Sequence, residues 1–101
     1  MFKAIILLTR KDGMTRDEFR HWMLVQHSPL ARSLPGVRKL VFNIIENEDV
    51  EYDGVSELWF DTREAFDAAY ATEIGKAVAG YSLANVKARI RFFVDERPQI
   101  G

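Results

Sequence analysis

The sequence predicts an α+β fold in which one four-stranded antiparallel sheet carries its helices on a single face. Three observations predict it. Apolar runs of strand character occupy residues 2–9, 37–46, 55–61 and 86–95. Helix-start signals at Thr15 and at Asp61-Thr62 follow the first and third of these runs. The resulting order is β-α-β-β-α-β with no short-period repeat, which is the ferredoxin-like pattern.

The first run, rich in Ile and Leu, ends at Arg10-Lys11-Asp12-Gly13, a turn signal. Strand side chains alternate between faces, so Ala4, Ile6 and Leu8 share one face and Ile5 and Leu7 the other. Both faces are apolar, and both are expected to be covered. Thr15-Arg16-Asp17-Glu18 forms a capping box, and Phe19, Trp22, Met23 and Leu30 follow at near-helical spacing. Pro29 lacks an N–H and disfavours a helical Ser28, which predicts that the helix ends or kinks near His27. Leu34-Pro35-Gly36 then turns the chain into the second strand.

Residues 47–54 are polar and acidic and read as a loop, and Val55 opens the third strand. Asp61-Thr62-Arg63-Glu64 caps a second helical stripe of Phe66, Tyr70, Ile74, Val78 and Tyr81. Thr72 and Gly75 weaken its middle, so one helix or two shorter ones fit the pattern. In the last run Val86, Ala88, Ile90, Phe92 and Val94 alternate with Lys87, Arg89 and Arg91, as in a half-buried strand. The tail from Glu96 contains Pro98 and is expected to extend over the surface.

A chain of 101 residues suits a single domain, residues 1–101. It is 48% hydrophobic and 29% charged, as ordinary globular proteins are. Fourteen basic residues balance 15 acidic ones, leaving a formal charge of −1 and no electrostatic basis for nucleic-acid binding. There is no cysteine, hence no disulfide, thiolate metal site or catalytic thiol. The N-terminal apolar run is too short to cross a bilayer, and no small-residue cleavage site follows it. No membrane association and a cytoplasmic location are the expectations.

In this fold the sheet face away from the helices is bare. Here it is expected to collect Ile5, Leu7, Val41 and Trp59, an apolar patch of the kind that marks an interface or a ligand groove. Asn43, Glu57 and Arg89 or Arg91 are expected among them as polar anchors for a small molecule. Cross-strand ion pairs among Glu57, Arg89 and Arg91 are the alternative.

His27 is the leading candidate for chemistry. Counted from Met23 it lies near the buried stripe, whereas His21 falls opposite Phe19 and faces solvent. Carbonyls released at the Pro29 break would orient its ring, and a pKa near neutrality suits proton transfer. A purely structural histidine bonded to those carbonyls is the competing reading. His21 and His27, six residues apart, do not make a metal pair. There is no Gly-x-Ser-x-Gly elbow and no nicotinamide or flavin fingerprint, so no cofactor is expected.

Thr15-Arg16-Asp17-Glu18-Phe19-Arg20-His21-Trp22, then His27-Ser28-Pro29-Leu30 and Leu34-Pro35-Gly36, resemble the EthD family pattern. The stretch from Glu57 to Phe66, Glu-Leu-Trp-Phe-Asp-Thr-Arg-Glu-Ala-Phe, resembles it too. The resemblance runs nearly end to end and implies a homodimeric α/β barrel, closed through the bare sheet faces, with His27 as the family histidine. It extends to methylmuconolactone methylisomerase, in which a tyrosine follows a lysine early in the second strand; here Leu40 follows Lys39. The implied function is small-molecule catabolism. In one form the protein is a cofactor-independent isomerase, or an enzyme transforming a lactone or cyclic intermediate. In the other it is a non-catalytic accessory or ligand-binding protein supporting an oxygenase that degrades ethers or aromatics. Either way the expected ligand is a small hydrophobic or oxygenated ring metabolite.

Overall fold

A strand that is apolar on both faces belongs in the middle of a sheet, and β1 (Phe2–Arg10) lies there. The computed structural model describes all 101 residues. β1 is flanked by β3 (Gly54–Phe60) and β4 (Val86–Val94), and β2 (Lys39–Ile44) closes the far edge, giving the order β2-β3-β1-β4. Every pairing is antiparallel. The helices all lie on the face of Ala4, Ile6 and Leu8. There Phe19, Trp22, Met23, Phe66 and Val78 pack with Leu58 and Phe60 into the core. Phe19, Trp22, Phe60 and Phe66 are at most 2% exposed, and such burial contributes about 1.5–3 kcal/mol per large side chain. This is the ferredoxin-like α+β arrangement.

Thr15 caps α1 (Arg16–His21) in a reciprocal box: its hydroxyl accepts from the Glu18 N–H at 3.0 Å, and the Glu18 carboxylate accepts from the Thr15 N–H at 2.9 Å. Pro29 does not end the helix. The chain passes instead through a π-helical turn (Trp22–His27), in which the Ser28 N–H reaches back to the Met23 carbonyl. It then continues as α2 (Ser28–Ala31). A wider turn just before the proline accommodates its ring and its missing N–H without a break. Gly54 makes room for this turn, because a Cβ there would stand 2.8 Å from Met23 Sδ and 3.0 Å from the Phe19 ring.

The second helical stripe is two helices, α3 (Arg63–Ala71) and α4 (Glu73–Asn85). Thr62 caps the first and Thr72 the second, its hydroxyl accepting from the Gly75 N–H at 3.0 Å. Asp61 turns outward to Arg38 at 2.8 Å. α4 folds back so closely that a Cβ on Gly75 would meet the Ala69 carbonyl and the Tyr70 Cα. The break re-phases the stripe, and Ile74, expected inside, is 41% exposed.

β4 departs from expectation in orientation. Leu8 pairs with Arg89 and Ile6 with Arg91, so both arginines lie on the helix-covered face. Ile90 and Phe92 pair with Leu7 and Ile5 on the open face, where they are 39% and 47% exposed. No helix is long and apolar enough to cross a membrane.

Candidate functional site

The residues expected to form one pocket divide between the two faces of the sheet. Trp59, Glu57 and Asn43 lie on the open face, opposite Lys3, Ile5 and Val55 respectively. His27, Arg89 and Arg91 lie on the covered face. The strand register imposes this division, because alternation along β4 puts both arginines in phase with Leu8 and Ile6.

The open-face polar groups satisfy one another. Lys3 Nζ contacts Glu57 at 3.0 Å and Glu96 at 2.8 Å, and sits 4.3 Å above the Trp59 ring. Trp59 donates its indole N–H to Glu96 at 3.0 Å, and Asn43 donates to Glu57 at 2.9 Å. The hydrogen bond from Lys3, then that from Trp59, lowers the Glu96 pKa. The bond from Asn43 is the largest influence lowering that of Glu57. The expected ion pairs of Glu57 with Arg89 or Arg91 do not form, since the sheet separates them. Around the network lie Ile5, Leu7, Val41, Val55, Ile90 and Phe92, all partly or largely exposed.

The covered face is different. His27 is 5% exposed, with its ring stacked on Trp22 at 4.7 Å and on Phe42 at 5.7 Å. No backbone carbonyl accepts a hydrogen bond from it, contrary to expectation, and Nδ1 is buried without a partner. The indole N–H of Trp22 is equally unpartnered. Such groups cost about 1–3 kcal/mol each when buried unpaired. Burial, and after it the charge of Arg89, pushes the His27 pKa down to about 4. The imidazole is therefore neutral at physiological pH, with Nδ1 buried and unbonded.

Arg89 and Arg91 take part in no ion pair. Arg91 lies 5.3 Å above both the Phe66 and Phe93 rings. Arg89 has no such aromatic partner, and burial lowers its pKa. Tyr70, on α3, packs its ring 4.9 Å from Phe66. Burial raises its phenol pKa, and the charges of Arg89 and Arg91 oppose that rise. The charge of Arg89 thus lowers the His27 pKa and opposes the rise at Tyr70. Tyr81, on α4, stands 6.2 Å from His27 and donates its hydroxyl to Gln26 at 3.2 Å, bridging α4 to the π turn. Beside that bridge an open apolar groove of about 600 Å³, lined by Gln26, Leu30, Ala77, Gly80, Tyr81 and Ala84, reaches the surface.

By periodicity alone Tyr70 and Tyr81 are members of an apolar stripe. The signal that could have singled them out is a polar tip on two residues of an otherwise apolar face. His21 is exposed on α1 and takes no part.

The model of the EthD domain matches residues 11–86. The chain belongs to the EthD family. Solved structures share the fold of this EthD protein over nearly its whole length. An ethyl tert-butyl ether D (EthD) family protein from Bacillus halodurans is 23% identical, with a TM-score of 0.84 over 96% of this chain and 99% of that one. A dimeric protein of unknown function and ferredoxin-like fold from Bacteroides fragilis is 12% identical, with a TM-score of 0.74 over 94% and 95%. SnoaB, a cofactor-independent oxygenase from Streptomyces nogalater, is 14% identical, with a TM-score of 0.72 over 98% and 95%. Among curated proteins, none matches the sequence of this EthD protein.

Proposed function

We propose that this EthD protein acts on a small oxygenated ring compound bound on the covered face, using His27 as the proton-transfer group and no cofactor. The observation that carries this reading is the set of unpaired polar groups there. A buried, neutral imidazole with an unbonded nitrogen accepts a proton from a carbon acid activated by a neighbouring carbonyl. The electron pair left on carbon moves onto the carbonyl oxygen as an enolate, which a nearby guanidinium stabilises. Returning the proton to a different carbon completes an isomerisation with no net oxidation. The partial negative charge drawn towards the site by a bound oxyanion would also offset Arg89 and raise the His27 pKa towards the range useful for catalysis.

The similarity to the EthD protein of Bacillus halodurans and to a cofactor-independent oxygenase supports small-molecule chemistry on this scaffold. Homodimerisation through the open faces is part of the same proposal. It rests on the apolar surface of Ile5, Leu7, Ile90 and Phe92, and on the dimeric state named for the Bacteroides fragilis neighbour. In that assembly Trp59, Asn43 and Glu57 belong to the interface.

Deuterium exchange tests the chemistry before the substrate is known. In D2O the protein is expected to catalyse exchange at the acidic C–H of five-membered lactones and cyclic enols. His27→Asn should lose that exchange with its melting temperature nearly unchanged. A tightly bound lactone that neither exchanges nor responds to His27→Asn would instead establish the accessory, ligand-binding role.

A further inference from the structure

α4 holds in its interior a glycine that packing does not explain. A Cβ on Gly80 would meet nothing within 4 Å, whereas one on Gly75 would strike backbone. Glycine in the middle of a helix destabilises it relative to alanine, and at Gly80 no close approach requires it. What Gly80 leaves is depth. With Gln26, Leu30, Ala77, Tyr81 and Ala84 it lines the open groove of about 600 Å³ beside the π turn, a size that suits a small molecule. No charged side chain lines this groove. An adjoining cleft of about 390 Å³ shares Gln26 and is lined by Trp22, Asp17 and Glu18 among others, with no lysine or arginine. Gln26 is the polar handle where the two meet. Its side-chain carbonyl accepts from the Tyr81 hydroxyl at 3.2 Å, which orients the amide and leaves its N–H donors without a partner in the protein. The Tyr81 ring that walls the groove stands 6.0 Å from Trp22 and 6.2 Å from His27. Those two rings carry the buried nitrogens that lack partners.

We infer that the groove between α4 and the π turn binds an uncharged planar ring bearing a carbonyl, the ring lying over Gly80 and the carbonyl accepting from the Gln26 amide. This rests on the reading of a small oxygenated ring compound and deepens it, naming the side from which the ligand approaches and the absence of charge on it. An anion would leave water for a groove lined by no cation and bordered by the carboxylates of Asp17 and Glu18, and a charge buried without a partner is strongly disfavoured. A lactone or cyclic ketone loses less solvation and gains apolar contact with Leu30, Ala77 and Ala84. Held there, it is separated from His27 by the single layer of the Tyr81 ring.

The test is calorimetric titration of the full chain with coumarin, a neutral lactone, and with coumarin-3-carboxylate, which adds a charge to the same ring. Coumarin should bind the unaltered protein about tenfold or more tightly than the acid. Gly80→Leu fills the groove and should weaken coumarin by about tenfold or more, with a melting temperature no lower than before, because leucine is the better helix former. Gly80→Ala should raise the melting temperature in the same way and leave coumarin binding nearly unchanged, which separates filling the groove from stiffening the helix. Gln26→Glu keeps the acceptor for Tyr81 and removes the donors, and should weaken coumarin by about tenfold. Undiminished coumarin binding in Gly80→Leu, or acid and lactone binding equally well, would overturn the groove site and leave the chemistry of His27 standing. Absence of coumarin binding to the unaltered chain would overturn the groove site as well. Coumarin bound with the expected preference by a protein that catalyses no C–H exchange would support the groove and refute the proton transfer.

Discussion

On the open face Lys3 is held by two carboxylates and Trp59 donates to one of them; on the covered face His27 and Trp22 have no such partners. Folding alone favours the opposite assignment, because unpaired groups cost most where water is excluded. The contrast teaches where to look for function. Polar groups that satisfy one another stabilise a surface, whereas buried ones left unsatisfied mark a place reserved for something the chain does not contain. Apolar exposure separates the faces in the complementary sense, since Phe92 and Ile90 are open to solvent opposite a fully covered core.

The strongest way to break the contrast is to disturb the turn that lays α4 on the covered face. Gly75→Ala forces a methyl group into the Ala69 carbonyl and the Tyr70 Cα. A cost of about 3 kcal/mol or more is expected, typical of a change that displaces backbone, and chemical denaturation measures it.

Acid separates the faces by pH window. Burial holds the folded pKa of His27 at about 4, down from the ordinary imidazole value of 6.5. The unfolded chain therefore binds the extra proton first. The stability that neutral His27 contributes is complete above pH 6.5 and is lost as pH falls towards 4. A shift of this size corresponds to roughly 3 kcal/mol at full extent. Glu57 and Glu96 have lowered pKa values, so their contribution disappears only further down, below the usual carboxylate value. Denaturation profiles of His27→Leu should lose the limb between pH 6.5 and 4 and keep the lower one.

Association sharpens the comparison next. Phe92→Asp would bury a charge in the proposed dimer contact and should weaken association by roughly a hundredfold, a cost of about 3 kcal/mol. Sedimentation should show monomer at concentrations where the unaltered chain is dimeric, with ring binding on the covered face intact. The smallest effect is expected at Lys3→Met. The ion pairs it removes are partly solvated and its replacement suits an apolar face, so stability should change by no more than about 1 kcal/mol.

Much of this architecture was legible in the sequence. The order of apolar runs and helix starts announced the ferredoxin-like arrangement, and the Thr15 box located α1. His27 was readable as buried because four residues from Met23 make about one turn in an α-helix and in a π-turn alike. The side chosen by Arg89 and Arg91 was not readable. Alternation separates two faces of a strand but does not say which one the helices cover. In β4 the partner register decides it, with an irregularity between Thr9 and Arg10. The groove beside Gly80 was not readable either, because a stripe shows burial and not the space left around it.

The chain has two tryptophans, and each reports on one face. A single series of nitrogen–proton correlation spectra following both indole N–H signals therefore tests the central claim most directly. Adding coumarin should move the Trp22 signal and leave Trp59 in place, whereas dilution should move Trp59 and leave Trp22. Coumarin shifting Trp59 alone would put the ligand on the open face and contradict the account.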